Sequence, residues 1–177
     1  RAPVDIVGAS ESVAPDVIAR APVMKLDALD LAKLAAEDAM ADAKPGPYRI
    51  ARAVVVDWSA DGVGSWTATP RGQRWTLAID AANAVHLNFG FTRLGLPLHA
   101  QLRIVSADGK LQLGPYGHAD LLPHGQLWTP LMAGARAILV LDVPIQERDQ
   151  VRLELRHVGQ GYRGFGFNNA QAKSGSC

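Results

Sequence analysis

Three observations predict a mainly β chain, an antiparallel β-sandwich or jelly-roll-like domain preceded by an extended arm and one short α-helix. Apolar residues recur at every second position through most of the chain after residue 48, the signature of strands buried on one face. Turn dipeptides separate these runs at short intervals. Strand patterns do not alternate with helical ones, which argues against a doubly wound sheet.

Taken in order, residues 1–24 carry Pro3, Pro15 and Pro22 among Val and Ile. This spacing predicts an extended arm laid along another surface, not a helix. Residues 25–43 space Leu26, Leu29, Leu31, Leu34 and Met40 between alanines and acidic residues. A short helix is expected there, with Asp27 as its N-cap, stopped by Pro45-Gly46-Pro47.

From Tyr48 the period is two. Trp75, Leu77 and Ile79 alternate with Arg74, Thr76, Ala78 and Asp80; Val85, Leu87, Phe89 and Phe91 with His86, Asn88 and Gly90; Val151, Leu153 and Leu155 with Arg152, Glu154 and Arg156. Further runs cover 49–57, 64–69, 100–106 and 137–143. The punctuation is Asp61-Gly62, Pro70-Arg71-Gly72, Asp108-Gly109, Gly114-Pro115 and Gly134. About eight short strands at this spacing predict a sandwich. The expected organisation is an arm and helix (1–47), a β-sandwich (48–166) and a linker (167–177).

Composition narrows the function classes. A net charge of +1 gives no polybasic surface for nucleic acid and no acidic tail. No apolar run approaches the ~18 residues of a membrane span. Arg1-Ala2-Pro3-Val4-Asp5 lacks the apolar stretch of a signal peptide, so a signal has been removed or was never there. Neither a nucleic acid nor a membrane is expected as partner.

The sequence carries no pattern that marks a catalytic, cofactor-binding or metal-ligating residue. His118 and His124 lie in a Pro/Gly loop without a metal-binding pattern, and read better as ordinary loop or core histidines. Gly159-Gln160-Gly161-Tyr162-Arg163-Gly164 has the spacing of a dinucleotide motif. Phe165-Gly166-Phe167-Asn168 follows it instead of a helix, so no helix N-terminus can receive a phosphate. The glycines are expected to ease an irregular exit from the last strand. Arg93, Arg103, Arg152 and Arg156 read as a solvated sheet face. Trp58, Trp66, Trp75 and Trp128 could stack on sugar rings if exposed in one row; core and corner packing is the plainer expectation, with Trp75 facing inward.

The most informative stretch is the last, Phe167 to Cys177. It is rich in small and polar residues, and its Lys173 stands just before a lone cysteine, Cys177, with nothing in the chain to pair with. It reads as a processing junction in something longer. Ala172-Lys173-Ser174-Gly175-Ser176-Cys177 resembles the pro/mature junction of bacterial lysyl endopeptidases, secreted trypsin-like serine proteases whose mature chains begin around Ser-Gly-Ser-Cys. Leu34-Ala35-Ala36-Glu37-Asp38, Gly125-Gln126-Leu127-Trp128-Thr129-Pro130, Gly134 and Gly161-Tyr162-Arg163-Gly164-Phe165 resemble the region preceding those protease domains. The similarity spans residues 23–177.

The resemblance implies a non-catalytic propeptide, secreted or periplasmic, with the catalytic triad downstream. It implies cleavage between Lys173 and Ser174, the mature protease domain as partner, and Cys177 bonded to a cysteine of that domain. An intramolecular chaperone and an inhibitor are both open as its job. The alternative is a carbohydrate- or surface-binding module of a secreted enzyme.

Overall fold

The computed structural model describes residues 4–5, 12–43 and 49–163. They form two β-sheets that enclose one core, so the expected β-sandwich is the fold. The chain runs β1 (Val4–Asp5), α1 (Pro15–Arg20), β2 (Val23–Leu26), α2 (Leu31–Asp42), β3 (Ala51–Ser59), β4 (Ser65–Thr69), β5 (Gly72–Ala81), β6 (His86–Gly95), β7 (Gln101–Ser106), β8 (Leu111–Tyr116), β9 (Leu127–Trp128), β10 (Met132–Ala133), β11 (Arg136–Pro144) and β12 (Arg152–Gly161).

The larger sheet has the order β1-β8-β7-β11-β5-β2, with β4 also beside β5. The smaller has the order β10-β6-β12-β3, with β9 also beside β6. All pairs are antiparallel except β2 with β5. That single parallel pair follows from the chain path, since β2 enters from the arm and not from a hairpin.

The period-two pattern does what it predicts. Trp75, Leu77 and Ile79 of β5, Phe89 and Phe91 of β6, Leu139 and Leu141 of β11, and Leu153 and Leu155 of β12 all turn into the core between the sheets. Fully burying side chains of this size contributes roughly 1.5–3 kcal/mol each. The Trp75 indole nitrogen donates to the Val63 carbonyl at 2.9 Å, so its one polar group is satisfied inside.

The arm is woven into this body. β1 pairs with β8 and β2 with β5. Where an entirely extended segment is expected, residues 15–20 form a six-residue helix, α1. Pro15 suits its first turn, where no backbone N–H is needed. Val17 and Ile18 then cover Ala78, Val105, Ile138 and Val140, a small apolar patch on the outer face of the larger sheet.

The predicted longer helix begins later than expected. Residues 23–26 are the strand β2, and the cap is Asp30, whose carboxylate accepts from the Lys33 N–H at 3.0 Å. Asp27 is left in the connection. Leu34 of α2, 1% exposed, enters the main core at one end of the sandwich. A strand is also gained at 111–116. Gly114-Pro115, expected to be a turn, lies inside β8, where the register with β7 shifts and Gly114 adopts φ +91°. A bulge is where a sheet tolerates proline.

Candidate functional site: the exit from the sandwich

The junction residues Lys173, Ser174 and Cys177 lie outside the described residues. What is described is the place from which that segment leaves, and it is heavily fastened.

β12 ends at Gly161, and the amides of Tyr162 and Arg163 both donate to the Ile50 carbonyl, at 3.0 and 3.3 Å. The Arg163 guanidinium meets the Asp38 carboxylate at 2.8 Å. Asp38 projects from α2 and is 2% exposed. Arg49, just ahead of β3, meets the same carboxylate at 2.8 Å and Glu37 at 3.1 Å. The Tyr162 ring lies 5.9 Å from both guanidiniums. On the other side, the His86 imidazole Nε2 donates to the Arg163 carbonyl at 3.2 Å.

Four elements therefore converge: α2, the start of β3, the start of β6 and the end of β12. Two cations around one buried carboxylate repay its desolvation. Burial alone would raise the Asp38 pKa; the polar contacts of Tyr162 and Arg49 and the charge of Arg163 outweigh it, and the pKa lies below its ordinary value. Burial lowers the His86 pKa, favouring the neutral ring, and the hydrogen bond to Arg163 offsets only part of this. Burial, reinforced by Asp38, raises the Tyr162 pKa.

The glycines have a different role from the one expected. Gly159 and Gly161 sit within β12, paired with Asn88 and His86 of β6. A Cβ on Gly161 would overlap the His86 ring, and one on Gly159 would overlap the Asn88 amide. The missing side chains are slots in which the neighbours lie flat, and the His86 slot is what brings its ring over the exit. Gly164 lies outside the described residues.

The four tryptophans do not form a row. Trp75 is buried, and Trp58 and Trp66 are half-buried against the core. Trp66 donates to the Ala60 carbonyl at 2.9 Å under the Arg148 guanidinium, 3.6 Å from its ring centre. Trp128 alone is exposed, at 48%; it lies over Gly90 and stacks on His157 at 5.3 Å.

The histidine pair is separated in role. His118 contacts the Leu96 carbonyl through Nδ1 at 2.9 Å, and His124 stands exposed in a left-handed conformation. Among the described residues no group of three or more His, Cys, Asp or Glu side chains could hold a metal ion. No helix among them is long and apolar enough to cross a membrane. Of the four arginines read as a solvated face, Arg103 departs: its side chain is only 17% exposed and approaches Asp142, which Arg74 also engages, at 2.6 Å. These three line a groove of about 470 Å³ on the outer face of the larger sheet; no residue of the exit cluster lines it.

Sequence reading missed the exit cluster, since its members look individually like solvated helix and strand charges. The one local signal is an Asp at a buried position of α2. In comparisons with known proteins, no family model matches the chain, and no solved structure matches it.

Proposed function

We propose that the chain is the propeptide of a secreted lysine-specific serine protease, that it inhibits and helps fold the protease domain, and that it is removed by cleavage after Lys173. The observation that carries this reading is the Lys173-Ser174-Gly175-Ser176-Cys177 junction, which resembles the start of mature lysyl endopeptidases, placed ten residues after Arg163.

Lysine at the cleaved position suits an acidic specificity pocket, where its ammonium is recognised as a point charge. Ten residues reach at most about 36 Å when extended, comparable to the width of a small domain. An exit fastened by Asp38 and His86 would present that reach from one fixed origin. After the cut, the new carboxylate of Lys173 leaves a product-like tail able to remain in the cleft. The chaperone role is supported by the sandwich's own hydrophobic core: a body with such a core could template a β-rich protease whose non-local contacts form slowly.

The test is residual activity of the mature lysyl endopeptidase against rising concentrations of this chain ending at Lys173. Saturable inhibition, weakened by removing Phe167–Lys173, is the expected result. Refolding of the denatured protease with and without the chain tests the second role; equal recovery in both would remove it. The alternative, a glycan- or surface-binding module, would be favoured by a row of exposed tryptophans; Trp128 alone is exposed, which counts against it.

A further inference from the structure

Every sheet border is a row of unpaired main-chain donors and acceptors, and folded proteins blunt such borders. Among the described residues, three of the four borders are blunted. Beside β5 the border is split between β4, five residues, and β2, four residues. Beside β6 it is split between β9 and β10, two residues each. At β8 it is covered in part by β1 and broken by Pro115 and a register shift.

The fourth border is β3. It is nine residues long, contains no proline, and among the described residues pairs only with β12. Its centre is Val54-Val55-Val56, a run of high strand propensity, with Val55 64% exposed. The exit lies at its first residue: Ile50, just ahead of β3, holds the amides of Tyr162 and Arg163. The exit thus leaves from the β12 side of β3, one strand in from the open border, close enough for a covalently attached partner to meet that border at the high effective concentration of a tether.

We propose that the open edge of β3 is the docking edge for an extended strand of the protease domain, added to the smaller sheet by main-chain pairing. This rests on the propeptide reading above. Strand addition takes its affinity from backbone hydrogen bonds and its selectivity from alternate side chains; the exposed Ala53, Val55 and Asp57, which alternate along one face, are the ones that would supply selectivity.

The experiment is hydrogen exchange on the full chain ending at Lys173, alone and with the mature protease. Consecutive residues of a strand turn their main-chain groups to opposite borders. Of Val54→Pro and Val55→Pro, one therefore breaks the ladder to β12, while the other alters only the open edge, and a thermal melt tells which keeps the fold. The expected result is about tenfold or slower exchange of β3 amides in the complex, and inhibition weakened about tenfold or more in the fold-retaining variant. Binding without β3 protection, or with a fold-retaining proline that inhibits like the wild type, overturns the proposal and leaves the propeptide reading standing. Concentration-dependent β3 protection with a dimer mass in the absence of protease overturns it in favour of self-pairing. A wild-type chain that neither inhibits nor assists refolding sinks the propeptide reading itself, in an arm run before any β3 variant is made.

Discussion

Asp38, near the middle of α2, and Arg163, where the described chain ends, meet at 2.8 Å with both side chains largely buried. The contact joins the N-terminal part of the chain to its exit. Removing one partner of a buried pair strands the other's charge. Asp38→Ala is expected to lower stability by about 3 kcal/mol, read by urea denaturation. Arg163→Met should cost less, because Arg49 still neutralises Asp38. The double variant should cost less than the sum; strict additivity would mean that the two residues do not interact in solution.

Asp38 and His86 have pKa values depressed by folding, and the hydrogen-bonded carboxylates Asp108 and Glu147 are shifted the same way, so all four act in one direction. The folded state favours neutral His86, so its contribution is fully present above the ordinary value of 6.5 and declines as pH falls from there through the folded pKa. Asp38 contributes above its ordinary value of 3.8 and loses that contribution as pH falls through its own lower folded pKa. Stability should therefore rise with pH across the acid range. His86→Asn should flatten the part below pH 6.5. A wild-type chain more stable at pH 5.5 than at pH 7.5 would contradict this.

Gly161→Ala is expected to destabilise by about 1–3 kcal/mol, through overlap with the His86 ring. The diagnostic is its dependence on His86. In a His86→Ala background the same change should cost under about 1 kcal/mol, since the ring that fills the slot is gone. An unchanged cost would place the strain elsewhere.

Among the lysines, the proposed function expects the first cut at Lys173, and Lys173→Gln should leave the junction intact on incubation with the protease. Lys25 is in β2, hydrogen-bonded along β5, and Lys33 is within α2. Both should resist until the domain opens. Lys110 follows the Asp108-Gly109 turn, and its amide donates to the Asp108 carboxylate at 3.0 Å. It should be the earliest secondary site. Intact mass over time gives the order; a cut at Lys25 preceding Lys173 would count against the assignment.

The strands of the core were legible because burial on one face writes a period of two into β5, β6 and β12. β8 was not, because Gly114-Pro115 serves equally well as a turn or as a bulge, and only the partner strand β7 decides between them. β2 is indistinguishable in sequence from the start of the helix for a similar reason. Met24 and Leu26 face the core from a strand paired to β5, but four residues are too few for periodicity to separate strand from helix. The exit cluster left little trace, since Asp38, Arg49 and Arg163 become neighbours only through tertiary structure, and each residue type is ordinary on a solvated surface.

β12 is the last strand among the described residues, yet it stands in the interior of its sheet, with β6 on one side and β3 on the other. During synthesis those two flanking strands emerge with the place between them vacant. Neither can complete its ladder until residues 152–161 arrive, and α2, made early, meets Arg163 only after that. The smaller sheet therefore cannot be completed before residues 152–161 are present. A chain shortened before residue 152 would thus lose the centre of the smaller sheet and not its margin.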